Sequence, residues 1–262
     1  MSNRINMARF FLQVGAFLQT LPVVIMKPDD LVEFSQQTYA KPGNVEGWCE
    51  DSLVDDGLSP DELELVNALP SHEGKLLLLG VGGGREAIPL AQMGFEVTGL
   101  DYVAEMVERA IQNAEQRGAH IEGLVQEISN LDVPESAYDV VFISRAMYSC
   151  VPTRTRRIRM VNQIRQALKP GGLFICQFHS NVGWENEGKS EHLRQLIAKS
   201  PFGNRGYENG DILWLNVEFV HIFTSEDKIR SELEAGGLAV KHINMDSGTT
   251  RGSAIGVKVA QT

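Results

Sequence analysis

The chain has 262 residues, of which 43% are hydrophobic and 22% charged, which suits one large globular α/β domain better than two small ones. Its formal net charge of -10 has the wrong sign for gripping phosphates, so no nucleic-acid partner is expected. Cys49, Cys150 and Cys176 are odd in number and lack C-x-x-C spacing, so they read as reduced thiols of a cytoplasmic protein with no metal site.

Residues 7–26 approach the length of a membrane span, but Arg9, Gln13, Gln19 and Pro22 interrupt them, and no small-residue cleavage site follows. A helix there is apolar round most of its circumference, with Phe10, Phe11, Phe17 and Leu18 on that face. It is expected to pack on its own domain or on a second copy as a homodimer, with peripheral contact to a membrane surface as the alternative. Residues 28–57 read as polar and turn-rich, with Pro28, Pro42, Gly43 and Gly47 as breakers. Ser59 and Glu62 then form a capping box around Pro60, predicting a helix start. Residues 1–57 are thus an N-terminal helical extension and candidate lid, ahead of a main domain over 58–262.

From Lys75 onward strands and helices alternate. Residues 76–79 form a wholly apolar run, as expected of a parallel strand covered on both faces. Further strands are predicted at 95–100, 121–125, 138–144 and 173–178. The helix before the last of these turns Ile158, Val161, Ile164 and Leu168 inward, and residues 169–172 close it. Strands at 238–243 and 253–259 are joined too closely to be parallel. The expected fold class is α/β: a doubly wound, seven-stranded, mostly parallel sheet with an antiparallel C-terminal hairpin, plus the N-terminal helical extension.

In such a sheet ligands bind at the carboxyl ends of the strands. Gly80-Val81-Gly82-Gly83-Gly84 follows the first strand directly, where a ligand would approach the backbone too closely for a Cβ. Asp101 ends the second strand and can accept hydrogen bonds from both hydroxyls of a ribose. Together they argue for an adenosine-type ligand. Two cofactors compete: residues 82–87 match the loose dinucleotide pattern G-x-G-x-x-A, and residues 80–84 match G-x-G-x-G.

Across residues 76–259 the chain resembles the class I methyltransferase superfamily, in LLLLGVGGGREA, VTGLDYVAEMVERA, VQEISNLDVPESAYDVVFIS and LKPGGLFICQF, in that order. The reversed final hairpin is similar too, and nicotinamide-binding Rossmann domains lack it. The resemblance implies S-adenosyl-L-methionine as cofactor and methyl transfer by in-line displacement. It implies Gly80, Val81, Gly82 and Gly84 as cofactor-binding residues, with the backbone of Gly80 to Gly82 lining the methionine portion and Asp101 holding the ribose. Tyr102 and Met106 would flank the adenine, Glu127 and the Ile128 N–H would meet its edge, and Ser144 and Arg145 would lie near the sulfonium. One departure stands out: Leu78 occupies the place where the family usually carries the acid that helps to receive the cofactor's ammonium group, so another carboxylate or carbonyl must serve.

A small-molecule acceptor is expected. His179, ending the fifth strand, is the best-placed imidazole for a general base, with His221 a weaker one. Arg145 and Tyr148 are candidates to orient the acceptor. Residues 183–223 form a long insertion carrying Trp184, Phe202, Tyr207, Trp214 and Phe219, either a substrate lid or a satellite core. Arg154, Arg156, Arg157 and Arg159 make a basic run at a helix start, where acidic surface partners are expected. Two other function classes stay open: an NAD(P)-dependent oxidoreductase, and a non-catalytic scaffold on a methyltransferase fold.

Overall fold

Leu76, Leu77, Leu78 and Leu79 are fully buried, and alternation along the strand sends them to opposite faces of one sheet. Leu77 and Leu79 join one apolar layer and Leu76 and Leu78 the other. The computed structural model describes residues 3–182, 189–215, 217–245 and 250–259.

The strands are β1 (Gly74–Leu79), β2 (Phe95–Asp101), β3 (Ile121–Val125), β4 (Tyr138–Ile143), β5 (Leu168–His179), β6 (Asp211–Trp214), β7 (Glu218–His221), β8 (Ala239–Asn244) and β9 (Arg251–Val257). Seven of them form one sheet in the order β3-β2-β1-β4-β5-β9-β8, while β6 and β7 pair separately. Pairing is parallel from β3 through β5, and β9 runs antiparallel between β5 and β8. The expected fold class holds. The order reverses between β1 and β4, so their carboxyl ends flank the crevice where this architecture places ligands.

The ten helices named along the described chain are α1 (Asn3–Ile25), α2 (Pro28–Tyr39), α3 (Pro42–Trp48), α4 (Asp51–Asp55), α5 (Pro60–Asn67), α6 (Ala87–Met93), α7 (Ala104–Gln116), α8 (Arg154–Ala167), α9 (Lys189–Ala198) and α10 (Glu226–Ala235). Three readings are corrected here. Residues 28–57 are largely helical, because Pro28 and Pro42 each sit at a helix start, where a missing N–H costs nothing. Residues 169–172 lie inside β5 rather than closing a helix. The buried face of α8 carries Arg157, Met160, Val161, Ile164 and Ala167, leaving Ile158 only half-buried. Arg157 is therefore a core residue and not a surface cation. The Ser59–Glu62 capping box of α5 forms as read.

Among the described side chains of α1, those that are buried lie at its C-terminal end. Val23 and Val24 are buried with Leu31, Ala198, Tyr207 and Phe219, and Asn204 donates its backbone and side-chain N–H groups to Val24 O and Val23 O at 2.7 and 3.0 Å. Toward its start, Met7, Phe10, Phe11, Leu12 and Leu18 are exposed, so the expectation that this helix buries most of its surface on its own domain fails. By length and composition α1 could cross a membrane. Within 183–223, the described part folds as α9 and the β6–β7 hairpin, and Trp184 lies outside the described residues.

Candidate functional site

A cavity of about 490 Å³ opens at the carboxyl ends of β1, β2, β4 and β5. Its floor is the loop after β1. Gly82 has a φ of 49°, and a Cβ there would meet nothing within 4 Å, so the loop keeps open space on its ligand side. Gly83 instead lies against the backbone of Trp48 and Cys49, too close for any side chain, which seats α3 on the loop. Gly84, read from the sequence as a cofactor-binding residue, instead packs on Ala110 of α7 and does not line the cavity.

Asp101 reaches across to this loop. Its two carboxylate oxygens accept the N–H groups of Gly82 at 3.1 Å and Val103 at 3.0 Å. Burial pushes its carboxyl above the usual aspartate range, and these backbone donors oppose the shift. Tyr102, Met106, Glu127 and Ile128 line the same side, and the Tyr102 carbonyl accepts a 2.9 Å bond from Gln36 of α2.

Beyond the glycines stands Glu86. Ser144 Oγ donates to it at 2.6 Å, Arg85 pairs with it, and Arg145 Nε lies 3.8 Å away. Burial raises the Glu86 carboxyl, against the pull of Arg85. Arg85 is held by a bidentate pair with Glu62 at 2.7 and 2.8 Å. The Arg145 backbone is in the left-handed region at φ 49°, followed by Ala146 at 61°, a costly conformation for side-chain-bearing residues that collects at functional sites. Its N–H donates to Gln177 at 2.8 Å, and its guanidinium lies 5.4 Å from the Trp48 ring centroid. The buried Arg145 Nε has no hydrogen-bond partner among the described residues.

His179 faces the cavity stacked on Trp214, with centroids 5.5 Å apart. Burial and the nearby Arg251 charge hold its imidazole below the usual histidine range, favouring the neutral form. A histidine less basic folded than unfolded binds fewer protons in the native state, so stability rises with pH through that window and falls below it. An NMR titration should place the His179 midpoint below the ordinary value of about 6.5; a midpoint at or above it would remove the basis for a neutral base.

Of the residues read from the sequence, Gly80, Val81, Gly82, Asp101, Tyr102, Met106, Glu127, Ile128, Ser144, Arg145 and His179 meet in this cavity. Tyr148 does not: it is fully buried, its hydroxyl donating to Glu232 at 3.0 Å, so it supports the core beneath the site. His221 is likewise buried away from the cavity, 2.7 Å from Asp211. No described residue of α1 lines the cavity; within the two candidate lid ranges, 1–57 and 183–223, it is Tyr39, Trp48 and Leu53 of α2–α4 and Trp214 of the hairpin that do. Sequence reading missed Glu86, Tyr39, Trp48, Glu218 and Arg251 as lining residues. Glu86 had a signal, a carboxylate directly after the glycine run; the others depend on chain segments that meet only in three dimensions.

A family model described as a methyltransferase domain matches residues 76–172. An uncharacterized methyltransferase of Synechocystis sp. is 32% identical over 124 residues, covering 47% of this chain and 56% of the relative. A ubiquinone biosynthesis O-methyltransferase of Paramagnetospirillum magneticum is 39% identical over 100 residues, 38% of each chain. The match thus spans about half or less of these curated relatives. Among solved structures, a SAM-dependent methyltransferase from Methanosarcina mazei superposes with a TM-score of 0.60 at 22% identity, covering 78% of this chain and all (100%) of that one. One from Mesorhizobium loti gives 0.57 at 18% identity, covering 78% and 99%. These likenesses are of fold.

Proposed function

Because the chain belongs to the class I S-adenosylmethionine-dependent methyltransferase superfamily, we propose that its cavity binds S-adenosylmethionine and that the protein transfers the methyl group to a small-molecule acceptor. Asp101 carries this reading. It is a buried carboxylate at the glycine loop, each oxygen accepting one backbone N–H, with lone pairs left for the two hydroxyls of a ribose. The open space over Gly82 fits the same ligand.

When bound, S-adenosylmethionine supplies a methyl group on a sulfonium for in-line displacement, so alignment supplies much of the acceleration. Gly80, Val81 and Gly82 line the methionine end, and Tyr102, Met106, Glu127 and Ile128 the adenine end. Leu78 packs the apolar layer under the sheet, so the ammonium-receiving carboxylate falls to Glu86, held beside the loop by Ser144 and Arg85. Arg145, with its unsatisfied Nε, orients the acceptor, and neutral His179 takes its proton where one must leave. The lid is assigned to α2–α4 and the β6–β7 hairpin, which shield the methyl group from water. The exposed face of α1 is left for a second copy or a membrane surface, which sedimentation with and without lipid vesicles separates. The three free cysteines support a cytoplasmic setting.

Calorimetric titration with S-adenosylhomocysteine tests the reading, with saturable one-site binding expected. Binding of NAD in its place would move the protein to the oxidoreductases, and binding of neither would leave a scaffold.

A further inference from the structure

The wall of the cavity made by the lid holds a group that the methyl-transfer reading leaves without work. Glu218, at the start of β7, faces the cavity together with Tyr39 from the end of α2 and Cys150 from the turn after β4. Cys150 Sγ donates to its Oε2 at 3.5 Å, and the Tyr39 hydroxyl stands beside the same carboxylate as a neutral donor that lowers its carboxyl. Ser35 ties the hairpin to α2, its hydroxyl accepting the Phe219 N–H at 3.4 Å, so the three side chains come from elements locked together.

Among the described residues the other shielded glutamates are each met by a cation: Glu62 and Glu86 by Arg85, Glu232 and Glu208 by Arg157, Glu191 by Arg194 and Glu127 by Arg156. Glu218 is different. Among the described residues, the groups that perturb it are the neutral donors Tyr39 and Cys150, and burial raises its carboxyl. A carboxylate withdrawn from water without a cation is costly. Asp101 is the other cavity carboxylate with neutral donors alone, and it is the one that fits the ribose. Two neutral donors leave further lone pairs of Glu218 open toward the cavity. The aromatic rings of Tyr39 and Trp214 on the same wall favour a flat apolar body and a positive charge.

We infer that Glu218 is an acceptor-binding residue and that the acceptor is a small aromatic or otherwise flat molecule carrying a basic amine, which Glu218 holds as its ammonium ion. The inference rests on the methyltransferase reading for the word acceptor. Glu218 supplies the handle that seats the molecule, while Arg145 and His179 stand nearer the carboxyl ends of β4 and β5 where the methyl group is transferred.

The experiment compares the full-length protein with Glu218→Gln, which keeps an oxygen to accept from Tyr39 but removes the charge. Tyramine and tryptamine are titrated calorimetrically against their deaminated analogues 4-ethylphenol and 3-ethylindole, with and without saturating S-adenosylhomocysteine. The unmodified protein should bind at least one amine about tenfold or more tightly than its analogue, and Glu218→Gln should erase that preference. Its affinity for S-adenosylhomocysteine should stay within about twofold, and its ligand-free melting temperature should not fall, since an uncompensated charge has been removed. Absence of an amine preference in the unmodified protein overturns the inference, as does a preference that survives the substitution or a lowered melting temperature. Failure of the unmodified protein to bind S-adenosylhomocysteine would instead sink the cofactor reading, and the titrations without it would still judge Glu218.

Discussion

Replacing Arg157 by Met should lower the free energy of unfolding by about 3–5 kcal/mol. The guanidinium is fully buried beneath the site and makes a bidentate pair with Glu232, both bonds at 2.8 Å. It also donates to Glu208 at 3.1 Å and to the Val151 carbonyl at 3.2 Å, and lies 5.4 Å from the Phe223 ring centroid. Met fills much of the volume but leaves Glu232, itself buried and already accepting from Tyr148, without a cation. The cost is that of a stranded charge rather than of a lost contact. Adding Glu232→Leu to the same chain should therefore recover most of the loss. Urea unfolding of both single variants and the double variant measures this; a single-variant loss under about 1 kcal/mol would mean that water reaches the pair and screens it.

Asp101→Ala should weaken S-adenosylhomocysteine binding by about 1.5–3 kcal/mol, or roughly 10–150-fold, with the fold intact. The carboxylate would supply charge-assisted acceptors to the ribose, and it also braces the loop through Gly82. Stability should change little, because burial already raises this carboxyl and its removal relieves a desolvation cost. Calorimetry on the two proteins gives the answer, and equal affinity would show that the adenosine end lies elsewhere.

Both experiments turn on residues whose sequence signals differed sharply in quality. Asp101 was legible because a carboxylate ending the strand after a glycine loop has a fixed place in this topology. Arg157 sat in a run of four arginines and read as surface charge, although the structure puts it in the core. Its partner Glu232 lies 75 positions away on α10, and no local pattern connects them. Tyr148 misled for the same reason, since its own partner is that same distant carboxylate.

The sheet and the glycine-loop half of the cavity followed from local rules. Apolar runs of strand length, helical spacing between them and glycines at a strand end each act over a few residues, so the chain order carries them. The lid was legible only as two broad candidate ranges, 1–57 and 183–223, and not as residues. Tyr39, Trp48, Trp214 and Glu218 come from an extension read as turns and from an insertion with no fixed topology. Prolines that look like breakers in one dimension start helices in three. Whether α1 or α2–α4 covers the crevice depends on which apolar face finds a partner, and Val23, Val24 and Leu31 found theirs on the insertion. By itself the sequence determined the sheet and the carboxylate and glycines at its strand ends; only the tertiary structure decided the strand order and what closes over the crevice, because those are set by packing between segments far apart in the chain.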